Sequence, residues 1–242
     1  MKKSYHAGRL GIFTQYIKNK VKGLPFIYGV LRFILNPGFR FYLPRRNKFL
    51  RRLAGSGSIR ILNIGSGCSK IYGKAINIDI TPFNGVSAVS DAHKLAFKDR
   101  EFDAVLLESV LEHVADPVIV VQESYRVLKD GGFIFVELPF MYEYHQSGAD
   151  YTRYTLSGLE KLMGNFTKIE SGIDIGPTGT LSAVIRNYFA VIFSFGVPAL
   201  HELLNMIFGV LLFPFKFLDL ALIHFKSAQN ISSCFYFIGK KQ

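Results

Sequence analysis

The first quarter of this chain contains no acidic residue. Residues 1–58 hold 13 Lys and Arg and no Asp or Glu, and the first acid in the chain is Asp79. The other 184 residues hold 16 basic and 18 acidic side chains, so the formal net charge of +11 arises entirely in the first segment. A charge excess of one sign in one segment indicates an anionic partner.

Cysteine is scarce, and signals for secretion are missing. Cys68 and Cys234 are far apart and lack the spacing of a metal site, which fits a reducing compartment. Residues 1–22 are basic but have neither the sustained apolar core nor the small-residue cleavage site of a signal peptide. Internal repeats and low-complexity tracts are also absent. We therefore expect a cytoplasmic protein with one α/β domain plus additions.

The sequence does contain a series of short apolar runs that end in small or acidic residues. The run Ile59–Ile64 stops at residues 65–67, Gly-Ser-Gly, where missing side chains let the backbone turn and approach a ligand. The run Ala75–Ile80 carries one acid, Asp79, near its end, where a carboxylate can accept hydrogen bonds from both hydroxyls of a ribose. Since open α/β sheets bind ligands at the carboxyl ends of their strands, this order predicts a nucleotide-type pocket.

Three more strands and a helix are predicted by the following residues. The strands are Val86–Ser90 ending at Asp91-Ala92, Phe102–Leu107 ending at Glu108-Ser109, and Phe133–Leu138 ending at Pro139. Pro117–Leu128 has helical apolar spacing, with Val118, Val121, Tyr125 and Leu128 on one face and Asp116 as N-cap. Gly131-Gly132 turns the chain from this helix into the fifth strand.

The order of these segments resembles a class I S-adenosylmethionine-dependent methyltransferase of the small-molecule type. The resemblance lies in L-E-H-V after the fourth strand and L-K-D-G-G before the fifth, and it covers about residues 59–173. It implies a Rossmann-like, mostly parallel sheet with helices on both faces, an antiparallel last strand, and S-adenosyl-L-methionine as cofactor. The continuation through residues 139–155 is similar to a bacterial subgroup often associated with cell-surface glycan synthesis.

The resemblance also implies roles for individual residues. Gly65 and Gly67, in the loop that includes Ser66, would lie against the methionine part of the cofactor. Asp79 would bind its ribose, and Asp91 and Ala92 would contact its adenine. Glu108 would lie near its methionyl end. The sequence departs from the family pattern at Asn63, where an acid is usual, and at Ser69, where a third glycine is usual. Only ten residues separate Ile64 from Ala75, so we expect a shortened first crossover with a very short or absent helix.

A catalytic candidate lies beyond the fifth strand. Methyl transfer to a hydroxyl needs positioning and a base, and histidine suits that task because its unperturbed pKa is near neutrality. His145 is therefore the candidate base, with Asp150 to orient it and Arg153 to bind an acidic group of the substrate. The alternative is that Asp150 and Arg153 form an ion pair that braces this tyrosine-rich loop.

The basic segment 1–58 mixes its charges with large apolar residues. This pattern suits amphipathic helices lying on an anionic membrane. Two alternatives are an RNA-binding arm, which we disfavour, and a solvated helical face that packs on the domain.

The last third of the chain carries an insert between two predicted strands, Phe166–Ser171 and Phe235–Gly239. We assign residues 59–173 to the core, 174–232 to an apolar helical insert, and 233–242 to the last strand. The insert holds two uncharged stretches, Asn187–Leu200 and Leu203–Phe215, broken by His201-Glu202 and by Pro198 and Pro214. Each is shorter than the roughly 18–20 apolar residues needed to cross a bilayer. A pair of helices resting in the membrane interface, or a lid around an apolar substrate, fits better.

These observations predict a cytoplasmic methyltransferase held peripherally on the inner face of a membrane. The expected acceptor is a small molecule or lipid-linked intermediate, such as a hydroxyl of a membrane-presented glycan. Two alternatives stay open: methylation of a lipid or quinone, and a degenerate, non-catalytic domain that serves as a membrane-binding module. No metal site is predicted, and the sequence leaves the oligomeric state open.

Overall fold

The computed structural model describes residues 30, 33–36, 38–55, 57–67, 75–144 and 149–242. The chain divides into two compact units. The sheet unit comprises residues 40–177 and 223–242, and the helical unit comprises residues 1–39 and 178–222. The predicted shortening of the first crossover concerns residues 68–74, which lie outside the described residues.

The sheet unit is built on seven strands. They are β1 (Ile61–Ile64), β2 (Ile76–Asp79), β3 (Ala88–Val89), β4 (Phe102–Glu108), β5 (Leu128–Pro139), β6 (Phe166–Ile175) and β7 (Cys234–Lys241). Their order in the sheet is β3-β2-β1-β4-β5-β7-β6. The first five strands are parallel, and β7 runs antiparallel to both β5 and β6. The predicted fold class is confirmed.

The strand order creates a topological switch between β1 and β4. The chain builds outward from β1 to β2 and β3, then returns to the other side of β1 with β4 and β5. At such a point the connections after neighbouring strands diverge and leave a crevice at the carboxyl ends of the strands. We call this border of the sheet the carboxyl edge.

Helices cover both faces of the sheet. Helix α1 (Tyr42–Gly55) packs its buried Tyr42 and Leu50 on one face, with Ile61, Leu106 and Phe135 beneath them. Helices α2 (Pro117–Val127) and α3 (Leu156–Leu162) pack on the other face, with Leu62, Val105 and Ile134. Side chains of successive strand residues point to opposite faces, so the alternating apolar positions of each strand supply two cores.

Helix α2 begins as predicted and buries most of the predicted apolar face. The Asp116 carboxylate accepts hydrogen bonds from the backbone amides of Val118 and Ile119, so its prediction as N-cap is confirmed. The prediction is wrong for Val118, whose side chain is half exposed. Val121 and Leu128 are buried and Tyr125 packs against the core, and the buried face also includes Val120 and Val127.

The helical unit contains two long helices in a hairpin. Helices α4 (Pro177–Ser194) and α5 (Pro198–Leu212) are followed by a 3-10 helix (Phe213–Leu218) and the short α6 (Asp219–Leu222). The predicted break at Pro198 is confirmed, because α5 begins there, whereas the predicted break at His201-Glu202 is wrong, because both residues lie inside α5. The chain turns instead at Gly196, whose φ of +76° suits the end of a helix, and Pro198 then starts α5.

The stretch Pro198–Leu222 is long and apolar enough to cross a membrane by length and composition. Its most apolar window has a mean hydropathy of 1.8, and 17% of that window is buried. A core helix of a water-soluble protein can have the same length and hydropathy, but it is mostly buried, unlike this stretch.

Candidate functional site

The loop after β1 holds its backbone in a conformation that favours glycine. Gly65 and Gly67 have φ of +64° and +53°. A Cβ atom at Gly65 would lie 2.5 Å from a methyl carbon of Val110, whereas a Cβ at Gly67 would have no atom of the described residues within 4 Å. Gly65 is thus required by close packing, and none of the described residues crowds Gly67.

Asp79 fastens this loop to the end of β2. One carboxylate oxygen accepts a hydrogen bond from the Gly67 amide at 2.8 Å, and the other accepts from the Thr81 amide at 2.9 Å. The Ser66 amide also donates to the Ile78 carbonyl at 3.0 Å. A carboxylate has about four lone-pair sites, so Asp79 keeps acceptor capacity for a ligand hydroxyl.

The loop fits a polar ligand. The Ser66 hydroxyl oxygen is buried and has no hydrogen-bond partner among the described residues. A buried polar group without a partner is costly, so a ligand that bonds it would be stabilised there. This set of a hydroxyl, backbone amides and a carboxylate acceptor fits the polar methionine and ribose parts of S-adenosylmethionine.

Asp91 and Ala92 follow β3 at the same edge. Asp91 accepts hydrogen bonds from the His93 amide at 2.9 Å and from its Nδ1 at 2.7 Å. The backbone hydrogen bond, and then the ring hydrogen bond, hold the pKa of Asp91 below its ordinary value. Asp91 is therefore a fixed carboxylate acceptor, and the neighbouring Ala92 is half-buried against the core.

Glu108, at the end of β4, has a partner that the sequence did not suggest. It forms an ion pair with Arg46 of α1, and both side chains are nearly buried. Arg46 also donates to the Asn47 side chain. The charge of Glu108 is thus neutralised beside the predicted pocket.

A second arginine joins the next two strand ends. Arg40 lies 2.7 Å from the Glu137 carboxylate of β5 and 2.8 Å from the Asp174 carboxylate of β6. Burial lowers the pKa of Arg40, but attraction to Glu137 and Asp174 outweighs it and leaves the pKa raised. Burial also raises the pKa of Asp174. The arginine therefore joins two acids that would otherwise repel each other within the protein.

Glu112 is a further buried acid beyond β4. Its side chain is 1% exposed, and desolvation raises its pKa to about 8. The Glu112 carbonyl accepts a hydrogen bond from the Tyr151 amide at 2.7 Å, so Glu112 lies beneath the segment after β5. A carboxyl group that titrates near neutrality can exchange protons with a substrate.

Asp150 and Arg153 form the predicted brace of that segment. Their two-pronged ion pair includes a contact of 2.6 Å between Arg153 Nη2 and Asp150 Oδ2, and Asp150 is buried. Arg153 also donates to the Glu143 carbonyl at 3.1 Å. The hydrogen bond that Arg153 donates to Asp150 raises the pKa of Arg153. The candidate base, His145, lies outside the described residues.

A basic cleft of about 800 Å³ runs along α1, away from the Gly65–Asp79 loop. It is lined by Lys48, Arg51 and Arg52 and reaches Arg40 at its border. Because Arg40 also touches Glu137 and Asp174, the cleft adjoins the carboxyl edge. Clefts lined by charges of one sign attract ligands of the opposite sign.

Comparison with known proteins supports the assignment of this edge. Residues 71–136 match the family model of the methyltransferase domain. This match covers 66 of the 242 residues, and it supports the prediction of an S-adenosylmethionine-dependent methyltransferase. The predicted enzyme class, a methyltransferase, and the predicted cofactor, S-adenosylmethionine, are thus confirmed.

Two solved structures share the fold. A proposed sarcosine dimethylglycine methyltransferase of Galdieria sulphuraria is 12% identical, with a TM-score of 0.51, and the match covers 82% of this chain and 86% of that one. The cyclase SpnF is 15% identical, with a TM-score of 0.50 and coverage of 79% and 80%. The methyltransferase-domain fold therefore also occurs in a cyclase.

One curated relative matches in sequence. An uncharacterised protein of Methanocaldococcus jannaschii is 31% identical over 96 residues, which are 36% of this chain and 47% of that protein. The match thus spans about half the length of the relative.

Several residues of the methyltransferase domain's edge were missed from the sequence. Arg40 and Arg46 stand among 13 basic residues of the first segment, and nothing in the pattern singles them out. Glu137 and Asp174 are acids within apolar strands, and that position was a usable signal, because a buried acid requires a partner.

Proposed function

We propose that this protein transfers a methyl group from S-adenosylmethionine to a hydroxyl oxygen of a membrane-presented acceptor, a lipid-linked or cell-surface glycan intermediate. The observation that carries the proposal is the loop at residues 65–67. Its Gly67 amide donates a hydrogen bond to Asp79, and its buried Ser66 hydroxyl has no hydrogen-bond partner among the described residues. This arrangement supports cofactor binding at the switch point of the sheet.

The reaction is an in-line displacement. S-adenosylmethionine, when bound, supplies an electrophilic methyl group on a sulfonium. Gly65, Ser66, Gly67, Asp79 and Asp91 would hold this cofactor, which would supply its methyl group to the acceptor oxygen, with its sulfur as the leaving group. The hydroxyl proton passes to a base of the protein, so charge and atoms balance.

The residues divide these tasks. Asp79 and Asp91 bind and orient the ribose and adenine, and Gly65, Ser66, Gly67 and Ala92 contribute backbone and hydroxyl contacts. Glu108, neutralised by Arg46, shapes the methionyl end. We assign the base to His145, with the Asp150–Arg153 pair holding the segment that carries it. Glu112 is the second candidate base, because its raised pKa is suited to proton transfer near neutral pH.

The basic cleft supports an anionic acceptor. Lys48, Arg51 and Arg52 give it positive charge, and its border at Arg40 adjoins the carboxyl edge. Lipid-linked glycans are attached through phosphate groups, which such side chains bind well. The acid-free first segment supports attachment to an anionic membrane from the cytoplasmic side.

Methylation of a lipid or quinone is the alternative that the apolar helical unit favours, because its exposed large apolar side chains suit a hydrophobic substrate. A non-catalytic membrane-binding module is the second alternative, to which the Asn63 substitution points.

The test is a transfer assay with labelled S-adenosylmethionine and two substrate pools. One pool is the lipid-linked glycan fraction of a bacterial envelope, and the other is the glycan-free lipid and quinone fraction. Label in the first pool, with a product heavier by one methyl group, is expected. Label confined to the second pool would favour the lipid alternative. Cofactor binding without label in either pool would contradict the proposed acceptors.

A further inference from the structure

The helical unit has an inverted distribution of polarity. Among its described residues, no large apolar side chain is buried, and the buried apolar residues are the alanines Ala183 and Ala190. Buried positions are instead polar or charged: Thr178, Thr180, Ser182, Ser194, Lys216 and Asp219. A water-soluble helical unit has the opposite distribution, because burial of apolar area drives its folding.

Polar contacts hold the inside of the hairpin together. The Asn205 side chain of α5 donates to the Asn187 side chain of α4 at 2.7 Å. The Asp219 carboxylate accepts from the amides of Thr178 and Gly179, at 2.9 and 3.3 Å, and so compensates the positive end of α4. Side-chain hydrogen bonds between helices are a frequent means of helix association within lipid.

The buried ammonium of Lys216 is also satisfied inside the unit. It donates to the Phe33 carbonyl and lies 3.7 Å from the centre of the Phe33 ring and 4.6 Å from that of Phe213. A charge placed inside a helix bundle and bonded to backbone and aromatic rings is the arrangement expected where the surroundings exclude water.

The outer surface of the hairpin is almost uniformly apolar. Phe195 at its turn is 85% exposed, and Val191 of α4 and Leu211 of α5 are each 63% exposed. Many other Leu, Val, Ile, Phe and Met side chains of both helices share this exposure. Monomeric proteins in water rarely expose a continuous apolar surface of this extent.

We propose that the α4–α5 hairpin is embedded in the acyl-chain layer of one membrane leaflet. The exposed apolar side chains contact lipid, and the Asn187–Asn205 and Asp219 contacts remain inside the protein. At about 1.5 Å per residue, α4 spans about 27 Å and α5 about 22 Å, each less than the roughly 30 Å hydrocarbon core. The longer stretch Pro198–Leu222 is not one continuous α-helix, because α5 passes into a 3-10 helix at Phe213. The proposal therefore places the hairpin within the leaflet, with Glu202 of α5 at the headgroup level.

Charge complementarity selects a lipid surface as the occupant over a second copy of the chain. The sequence that runs into the helical unit, residues 1–39, contains seven Lys and Arg and no acid. Two such copies would repel each other, whereas anionic lipid headgroups would attract each. The proposal differs from attachment by surface charge, since it requires contact with acyl chains. It does not depend on methyl transfer.

The protein contains no tryptophan, so one introduced tryptophan reports on one position. Phe195→Trp and Leu211→Trp place it on the hairpin, and Val89→Trp on exposed β3 of the sheet unit is the matched control. Each variant of the full chain is mixed with vesicles of phosphatidylcholine and phosphatidylglycerol whose acyl chains carry bromine. Vesicles without bromine provide the reference.

We expect bromine to quench both hairpin tryptophans at least twofold and to leave the Val89→Trp signal unchanged. Vesicle binding without quenching of the hairpin positions would overturn the proposal in favour of attachment by surface charge. Emission that is already blue-shifted without lipid, and insensitive to brominated vesicles, would also overturn it, because protein would then cover this face. The measurement needs neither cofactor nor acceptor, so its failure would leave the proposed reaction standing.

Discussion

The backbone amide of Gly67 donates a hydrogen bond to the Asp79 carboxylate at 2.8 Å, across twelve residues of sequence. This bond joins the ends of β1 and β2, where both strands reach the carboxyl edge. It fixes the glycine loop against the residue expected to hold the ribose. We therefore expect cofactor binding and loop geometry to be coupled through one carboxylate.

The two loop glycines should differ in their tolerance of alanine. Both have positive φ, which costs about 1 kcal/mol for an L side chain. Gly65→Ala also drives its methyl group into Val110, and such overpacking costs roughly 1–3 kcal/mol more. Gly67→Ala should therefore be the more stable variant but should bind S-adenosylmethionine more weakly than the wild type. Urea unfolding and calorimetry measure the two effects, and equal unfolding costs would refute the packing argument.

The Arg46–Glu108 pair should behave as a coupled, buried ion pair. Arg46→Met and Glu108→Gln each leave a charge without its partner, at a cost of about 3 kcal/mol in unfolding free energy. The double variant should cost clearly less than the sum of the two. A double-mutant cycle from urea unfolding checks this, and additive costs would show that the two charges do not interact.

Glu112 should make the protein less stable as pH rises. Its ordinary pKa of 4.5 is raised to about 8 in the folded protein. Between these values the folded state retains a proton that the unfolded state has lost, so stability falls with increasing pH. From pH 6 to pH 8 the loss should be on the order of 2 kcal/mol. Glu112→Gln should remove this portion of the pH dependence, as measured by thermal unfolding; the same slope in both proteins would contradict the assigned pKa.

His145 is expected to act on turnover and not on cofactor affinity. His145→Ala should lower kcat by about 10²–10⁴-fold, as is typical for loss of a general base. The dissociation constant for S-adenosylmethionine should stay the same. His224→Ala, which removes an exposed histidine before β7, is the control and should leave both quantities unchanged. If His145→Ala retains turnover and Glu112→Gln loses it, the base is Glu112.

The strands of the sheet could be predicted from the sequence more completely than the ion pairs and the helical hairpin around it. Each strand is a short apolar run with a sharp end, so the fold and the positions of Asp79 and Asp91 follow from local pattern. The ion pairs of Arg40 and Arg46 depend on side chains brought together over 62 residues or more, and local pattern carries no record of them. The break at Pro198 followed from local pattern, because proline is favoured at the first position of a helix, whereas the charge at His201-Glu202 does not interrupt α5.

The central claim is that S-adenosylmethionine binds at the carboxyl edge through Asp79. Isothermal titration calorimetry with the wild type, Asp79→Asn and the control Asp99→Asn, an exposed acid of a surface turn, tests it most directly. We predict that Asp79→Asn weakens binding at least tenfold, about 1.4 kcal/mol, while Asp99→Asn matches the wild type. Equal affinity in all three proteins, or no binding by the wild type, would contradict the account.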